Sequence, residues 1–134
     1  MNGTETLRSV ELFRDLDDAT LAELATHTER RRLARGDVIF GENDEPYELF
    51  VVVSGRVAMV NRSIDGRESV VALMEAGDLF GEMPMFDGLP RSTDARVLEQ
   101  SEVLAIPYEP VKTLYAERPR LLWRVVEMLA HRVR

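Results

Sequence analysis

From Val38 to Ile106 the apolar residues fall in short runs rich in β-branched and aromatic side chains, cut every few positions by Gly, Asn, Asp or Pro. On either side of that stretch they recur at intervals of three and four. The central pattern predicts short antiparallel strands and the flanking pattern predicts helices. In the N-terminal part, Asp17 or Asp18 caps a helix running to about Thr28, with Leu21, Leu24 and Ala25 facing a core. Asp65-Gly66, between the runs Val57 to Asn61 and Ser69 to Leu73, is a hairpin turn sequence. After Ile106, Pro110 and Pro119 suit the first turns of two helices, a short one through Ala116 and a longer one to the chain end. On the longer helix Leu122, Val126, Leu129 and Val133 form an apolar stripe. It is either a seam between two copies or the face packed on the strands. Leu121, Val125 and Met128 widen that face beyond the needs of one contact, which favours a homodimer through this helix. Trp123 lies off the stripe, as a partner surface or a partly buried anchor.

These elements predict a mainly β fold with flanking α: an antiparallel β-roll or jelly-roll barrel (double-stranded β-helix) with N-terminal helices and C-terminal helices. A chain of 134 residues with 45% hydrophobic content suits a single domain. Its expected division is 1–32 helical, 33–107 β-roll and 108–134 helical. The formal charge of −7 argues against direct nucleic-acid binding, which needs clustered cations against phosphates. The densest basic cluster, Arg30-Arg31-Arg32 with Arg35, is read as a solvated face at a helix end. No cysteine is present, which excludes thiolate-held iron–sulfur clusters and disulfides. Neither a signal peptide nor a membrane span is visible, so a cytoplasmic protein, or such a portion of a larger one, is expected.

The chemistry concentrates between Gly77 and Val97. Gly81 lets the backbone turn sharply and lie close to a ligand after Leu79-Phe80. The residues after it can form one helical turn, whose outward N–H groups favour an anion such as phosphate. Arg91, beyond the turn Asp87-Gly88-Leu89-Pro90, can grip two phosphate oxygens with one planar guanidinium. Ser92 can add a hydroxyl. Glu82 would repel a phosphate, so its natural partner is a neutral donor such as a ribose hydroxyl. Anion and sugar together point to a nucleotide; the rival reading is an Arg91–Glu82 surface ion pair beside two turns.

Phe80-Gly81-Glu82-Met83 followed by Pro90-Arg91-Ser92 resembles the phosphate-binding cassette (77–97) of the cyclic nucleotide-binding domain found in CRP/FNR-type regulators, cyclic-nucleotide-dependent kinases and gated channels. Val10 to Leu16 is similar to that family's N-terminal helical entry, Gly36 to Phe40 to its first barrel turn and strand, and Leu49 to Val57 to its central hairpin. The resemblance implies that Glu82 takes the ribose 2′-hydroxyl, Arg91 the cyclic phosphate, and Ser92 a further hydrogen bond. It implies backbone contacts from Gly81 and Met83, with Phe80 and Thr93 completing the ligand-binding set. The implied ligand is cAMP, with cGMP as second choice, and no cofactor or metal is required.

Three departures from the family pattern stand out. Asp94 follows the phosphate-binding arginine closely and would oppose an anion if it pointed inward; strand alternation leaves its direction open. Pro84 removes one N–H donor at the first helical turn. The chain stops at Arg134, short of the position from which family members close the pocket over the base. The family's DNA-binding helix-turn-helix is also absent within these residues, so an output domain belongs elsewhere or not at all.

A cupin-like metalloenzyme would want two or three converging histidines, whereas the chain has only His27 and His131, expected in opposite terminal helices. Hydrolysis lacks a base beside Ser92. The reading is therefore a non-enzymatic sensor that relays ligand occupancy through its C-terminal helices. Its rival is a ligand-free domain of the same fold serving protein–protein interaction.

Overall fold

The computed structural model describes residues 3–134. Helix α1 (Gly3–Ser9), a 3-10 turn (Glu11–Phe13) and α2 (Asp18–Thr26) precede eight strands. The strands are β1 (Glu29–Leu33), β2 (Val38–Phe40), β3 (Glu48–Ser54), β4 (Val57–Arg62), β5 (Glu68–Met74), β6 (Leu79–Phe80), β7 (Asp94–Val97) and β8 (Ser101–Pro107). Helix α3 (Met83–Asp87) interrupts them, and α4 (Tyr108–Glu117), a second 3-10 turn (Pro119–Leu121) and α5 (Leu122–Val133) follow. The N-cap of α2 is Asp17, whose Oδ1 accepts the Thr20 N–H at 2.7 Å.

The strands form two antiparallel sheets, ordered β1-β8-β3-β6 and β2-β7-β4-β5. They do not close into a barrel, which corrects the closed-barrel part of the expectation: neither terminal strand of one sheet is hydrogen-bonded to the other. The β4–β5 hairpin turns at Asp65-Gly66 as predicted.

Strands β3 and β8 organise two apolar cores because both are buried on both faces. Leu49 and Val51 of β3, with Leu104 and Ile106 of β8, face a helical core that includes Leu7, Phe13, Leu21, Val111 and Val125. Their alternates, Phe50, Val52, Val103 and Ala105, face Phe40, Val57, Phe80 and Ala95 between the sheets. The period of two along each strand produces this division, and double burial explains why Leu49 to Val53 reads as an unbroken apolar run.

The arginine cluster is not at a helix end. Arg30, Arg31 and Arg32 lie in β1 and Arg35 in the turn after it; Arg30 pairs with Glu102 at 2.8 Å and Arg31 grips Glu48 with two bonds of 2.8 and 3.1 Å. The strand, and with it the roll, therefore begins at Glu29. A run of like charges carries no apolar alternation, and its carboxylate partners lie far along the chain, so only the pairing with β8 reveals the strand.

In α5, Val125 and Met128 are buried, and Leu129, with Leu121 of the preceding 3-10 turn, packs against the helical core. Three of the four stripe positions, Leu122, Val126 and Val133, are exposed. Trp123 is 73% exposed, which excludes the anchor reading. No helix among the described residues is long and apolar enough to cross a membrane.

Candidate functional site

Strand β6 delivers the chain to the site by pairing Phe80 with Phe50 and Leu79 with Val51. The Phe80 and Phe50 rings stack 5.2 Å apart, so Phe80 is a floor buried between the sheets. The backbone then turns at Gly81 with φ +78°. A Cβ there would lie 2.9 Å from Arg91 Nη1, 3.2 Å from the Phe50 ring and 3.3 Å from the Phe40 ring. Glycine is required twice over, by the left-handed backbone and by the space. Helix α3 follows, with Pro84 in its first turn and Gly88 as left-handed cap.

Arg91 is 4% exposed. Its backbone is held against the turn after β2, where Asn43 N–H donates to Arg91 O at 2.8 Å and Arg91 N–H donates to Asp44 O at 3.2 Å. Its guanidinium donates from Nη1 to Gly81 O at 2.7 Å and to the Tyr108 hydroxyl at 3.3 Å, and from Nη2 to Glu48 O at 2.6 Å. The charge lies 4.0 Å from the centre of the Phe40 ring, a cation–π arrangement. These partners are carbonyls, a hydroxyl and a ring, and none is a carboxylate. Burial pushes the guanidinium below its ordinary pKa, with Tyr108, Glu48 and Asp44 pulling the other way. Burial likewise pushes the Tyr108 phenol up to about 12, so it stays protonated and donates to Gly81 O.

Glu82 is 2% exposed and is not paired with Arg91. Its Oε1 accepts a hydrogen bond from Nη1 of Arg132, near the end of α5. Asp94 turns away from the site: its Oδ1 accepts the Glu42 N–H at 2.7 Å, and its Oδ2 lies 3.4 Å from Arg62 and 3.7 Å from Arg96.

A cavity of about 660 Å³ opens between the sheets, α3 and α5, within the size range of small-molecule pockets. Phe80, Gly81, Glu82, Met83, Arg91, Ser92 and Thr93 all line it. So do Phe40, Met59, Met74 and Arg132, which sequence reading did not place there. Arg132 carried no motif to flag it, since its role depends on where α5 docks. His27 ends α2 and His131 lies in α5; among the described residues no three His, Cys, Asp or Glu side chains are grouped to hold a metal.

The sequence profile of the cyclic nucleotide-binding domain matches residues 30–118, two-thirds of the chain. The protein belongs to that family. This cyclic nucleotide-binding domain is 27% identical over 130 residues to a CRP-like cAMP-activated global transcriptional regulator of Mycobacterium tuberculosis, covering 97% of this chain and 58% of that protein. It is 30% identical over 128 residues to the cyclic AMP receptor protein of Thermus thermophilus, covering 96% and 59%. Its fold matches the N-terminal domain of a transcriptional regulator from Streptomyces coelicolor with a TM-score of 0.78 and 34% identity, over 96% of this chain and 90% of that one. The domain thus spans under two-thirds of the two full-length regulators and nearly all of the isolated regulator domain.

Proposed function

We propose that this domain binds a cyclic nucleotide, cAMP in preference to cGMP, and relays occupancy through its C-terminal helices as a non-catalytic sensor. The observation that carries the reading is Arg91: a guanidinium buried in a cavity wall with no carboxylate counter-ion is a charge arranged for an anion that arrives from outside. A cyclic phosphodiester supplies one negative charge. Arg91 and Ser92 would take its oxygens, with backbone contacts from Gly81 and Met83, while Phe80 and Thr93 shape the wall.

Glu82 beside a phosphate would be repulsive by itself. Arg132 offsets that charge at Oε1 and leaves Oε2 to accept the ribose hydroxyl. Of the charged side chains lining the cavity, Arg91, Arg132 and Glu82 adjoin the proposed phosphate and ribose positions, and Glu11 and Asp78 lie along the same wall. Hydrolysis would need a general base or metal near the phosphate, and the groups beside Arg91 are carbonyls and a phenol held protonated.

Two contacts connect the pocket to the helices that would carry the signal. Arg91 touches Tyr108, the first residue of α4, and Glu82 touches Arg132 of α5. A ligand that redirects either arginine changes the relative stability of helix positions, which is what a population shift requires. The exposed Leu122, Val126 and Val133 would receive a second copy in a homodimer, and an output domain would follow in a longer chain, as the length of the relatives suggests. Neither a membrane nor direct nucleic-acid contact is expected of this domain, and its place is the cytoplasm.

Calorimetric titration with cAMP and cGMP, alongside Arg91→Ala, tests the reading. Micromolar binding that the substitution weakens by about 3 kcal/mol, on the order of a hundredfold, is expected from the loss of charge-assisted bonds. No heat with either nucleotide at millimolar concentration would favour the ligand-free interaction module. That second reading draws on the internal satisfaction of the site, in which Arg91 and Glu82 already have protein partners.

A further inference from the structure

Four of the chain's six methionines, Met59, Met74, Met83 and Met128, line the one cavity described above. They come from four separate elements: β4, β5, α3 and α5. A fifth, Met85, packs on the helical core and does not line the cavity, whereas Met59 and Met74 both line it while also packing against the core between the sheets. Met83 is 43% exposed and Met59 and Met74 are half-buried, whereas Met128 is only 5% exposed. With Val71 and Leu79 these thioethers make an apolar wall, while Arg91, Glu82 and Ser92 supply the polar contacts. A methionine that merely fills a core is enclosed by protein. Three of these face a cavity open to solvent, where a small oxidant can reach the sulfur.

We propose that this wall is a peroxide-sensitive modification site, at which oxidation of Met59, Met74 and Met83 to sulfoxides reversibly weakens ligand binding. The proposal rests on the nucleotide-binding reading above. In the reaction a thioether sulfur attacks one oxygen of hydrogen peroxide, the O–O bond breaks, and the second oxygen leaves as water. The sulfur is oxidised by two electrons and the peroxide is reduced by two. The product carries a polar, chiral S=O group on the apolar wall that would receive the base once phosphate and ribose occupy the polar end. Placing an aromatic ring against that oxygen buries a polar group without a donor, which is unfavourable. Reduction by the two epimer-specific sulfoxide reductases, in which a dithiol supplies two electrons and two protons and becomes a disulfide while the oxygen leaves as water, restores the thioether.

The test treats the purified chain with hydrogen peroxide, maps sulfoxides by peptide mass spectrometry and measures the cAMP dissociation constant by calorimetry. Met83 should oxidise first, Met59 and Met74 next and Met128 last, in the order of exposure. The dissociation constant should rise about tenfold, with an unchanged circular dichroism spectrum, and should recover after treatment with both reductases. A Met85→Leu variant should remain peroxide-sensitive. A variant combining Met59→Leu, Met74→Leu and Met83→Leu should show no peroxide-induced change relative to its own untreated affinity, whatever that affinity is. Sulfoxides at the three positions with unaltered binding would overturn the proposal, as would an equal loss in the triple variant. If the untreated chain binds neither cyclic nucleotide, the function proposed above fails and this inference falls with it; intact binding that survives oxidation refutes the modification site alone.

Discussion

Gly81→Ala tests how tightly the turn at Gly81 is coupled to Arg91, and Gly88→Ala provides its internal reference. Both glycines have positive φ, +78° and +70°, so an alanine at either costs about 1–2 kcal/mol in backbone strain. At Gly88 nothing lies within 4 Å of the new Cβ, and strain is the whole effect. At Gly81 the methyl meets Arg91 Nη1 at 2.9 Å and the two phenylalanine rings at 3.2 and 3.3 Å. The arginine cannot simply swing aside, because Nη2 is held by Glu48 O at 2.6 Å and the side chain is buried. Overpacking of this kind adds about 1–3 kcal/mol. With a urea dependence of about 2 kcal/mol per M for a domain of this size, Gly81→Ala should unfold roughly 0.5–1.5 M earlier than Gly88→Ala. Urea titrations followed by circular dichroism read the difference directly. Coincident midpoints would refute the close approach of Gly81 to Arg91 and with it the geometry on which the proposed anion site depends.

Arg132→Ala leaves the Glu82 carboxylate uncompensated beside the proposed phosphate position and should weaken cAMP binding about tenfold; calorimetry showing equal or tighter binding would mean that the pair competes with the ligand. Asp94→Ala strands the Glu42 N–H and should cost about 1–2 kcal/mol of stability. Its cAMP affinity should stay within about twofold, since the carboxylate is turned from the cavity, and a large gain would show that the charge does reach the phosphate. Alkaline stability should fall as pH rises from about 10 through 12, because Tyr108 titrates at about 12 when folded and at 10.0 when not, so its contribution is present below pH 10 and lost above 12. Burial pushes Tyr115 the same way. Unfolding midpoints across pH 9–11.5 should drop less steeply in Tyr108→Phe.

The periodicity of two in β3 and β8, the Asp17 cap, the Asp65-Gly66 hairpin and the first-turn Pro110 were legible because each is a local rule with a local cause, whereas Pro119 opens the 3-10 turn ahead of α5 and not α5 itself. The cassette was legible as a motif for the same reason: Gly81, Glu82, Arg91 and Ser92 are close in sequence and chemically unlike their surroundings. What failed were features whose partners are distant. Strand β1 was missed because its arginines pair with Glu48 and Glu102. The Arg91–Glu82 ion pair was a poor rival because each side chain found another partner, Arg91 in Gly81, Glu48 and Tyr108, and Glu82 in Arg132. The apolar stripe of α5 named the right helix but not the packed face, since amphipathicity wider than one contact has two solutions.

By itself, the sequence determined the kinds of element, the antiparallel β class and the residue types able to hold a phosphate and a sugar, because these follow from backbone preferences and side-chain chemistry acting over a few positions. Tertiary structure alone decided that Arg91 is buried without a counter-ion, that Asp94 turns away and that Arg132 closes on Glu82. Those outcomes depend on which distant groups exclude water from one another, and burial and pairing energies exist only once the sheets and helices have met.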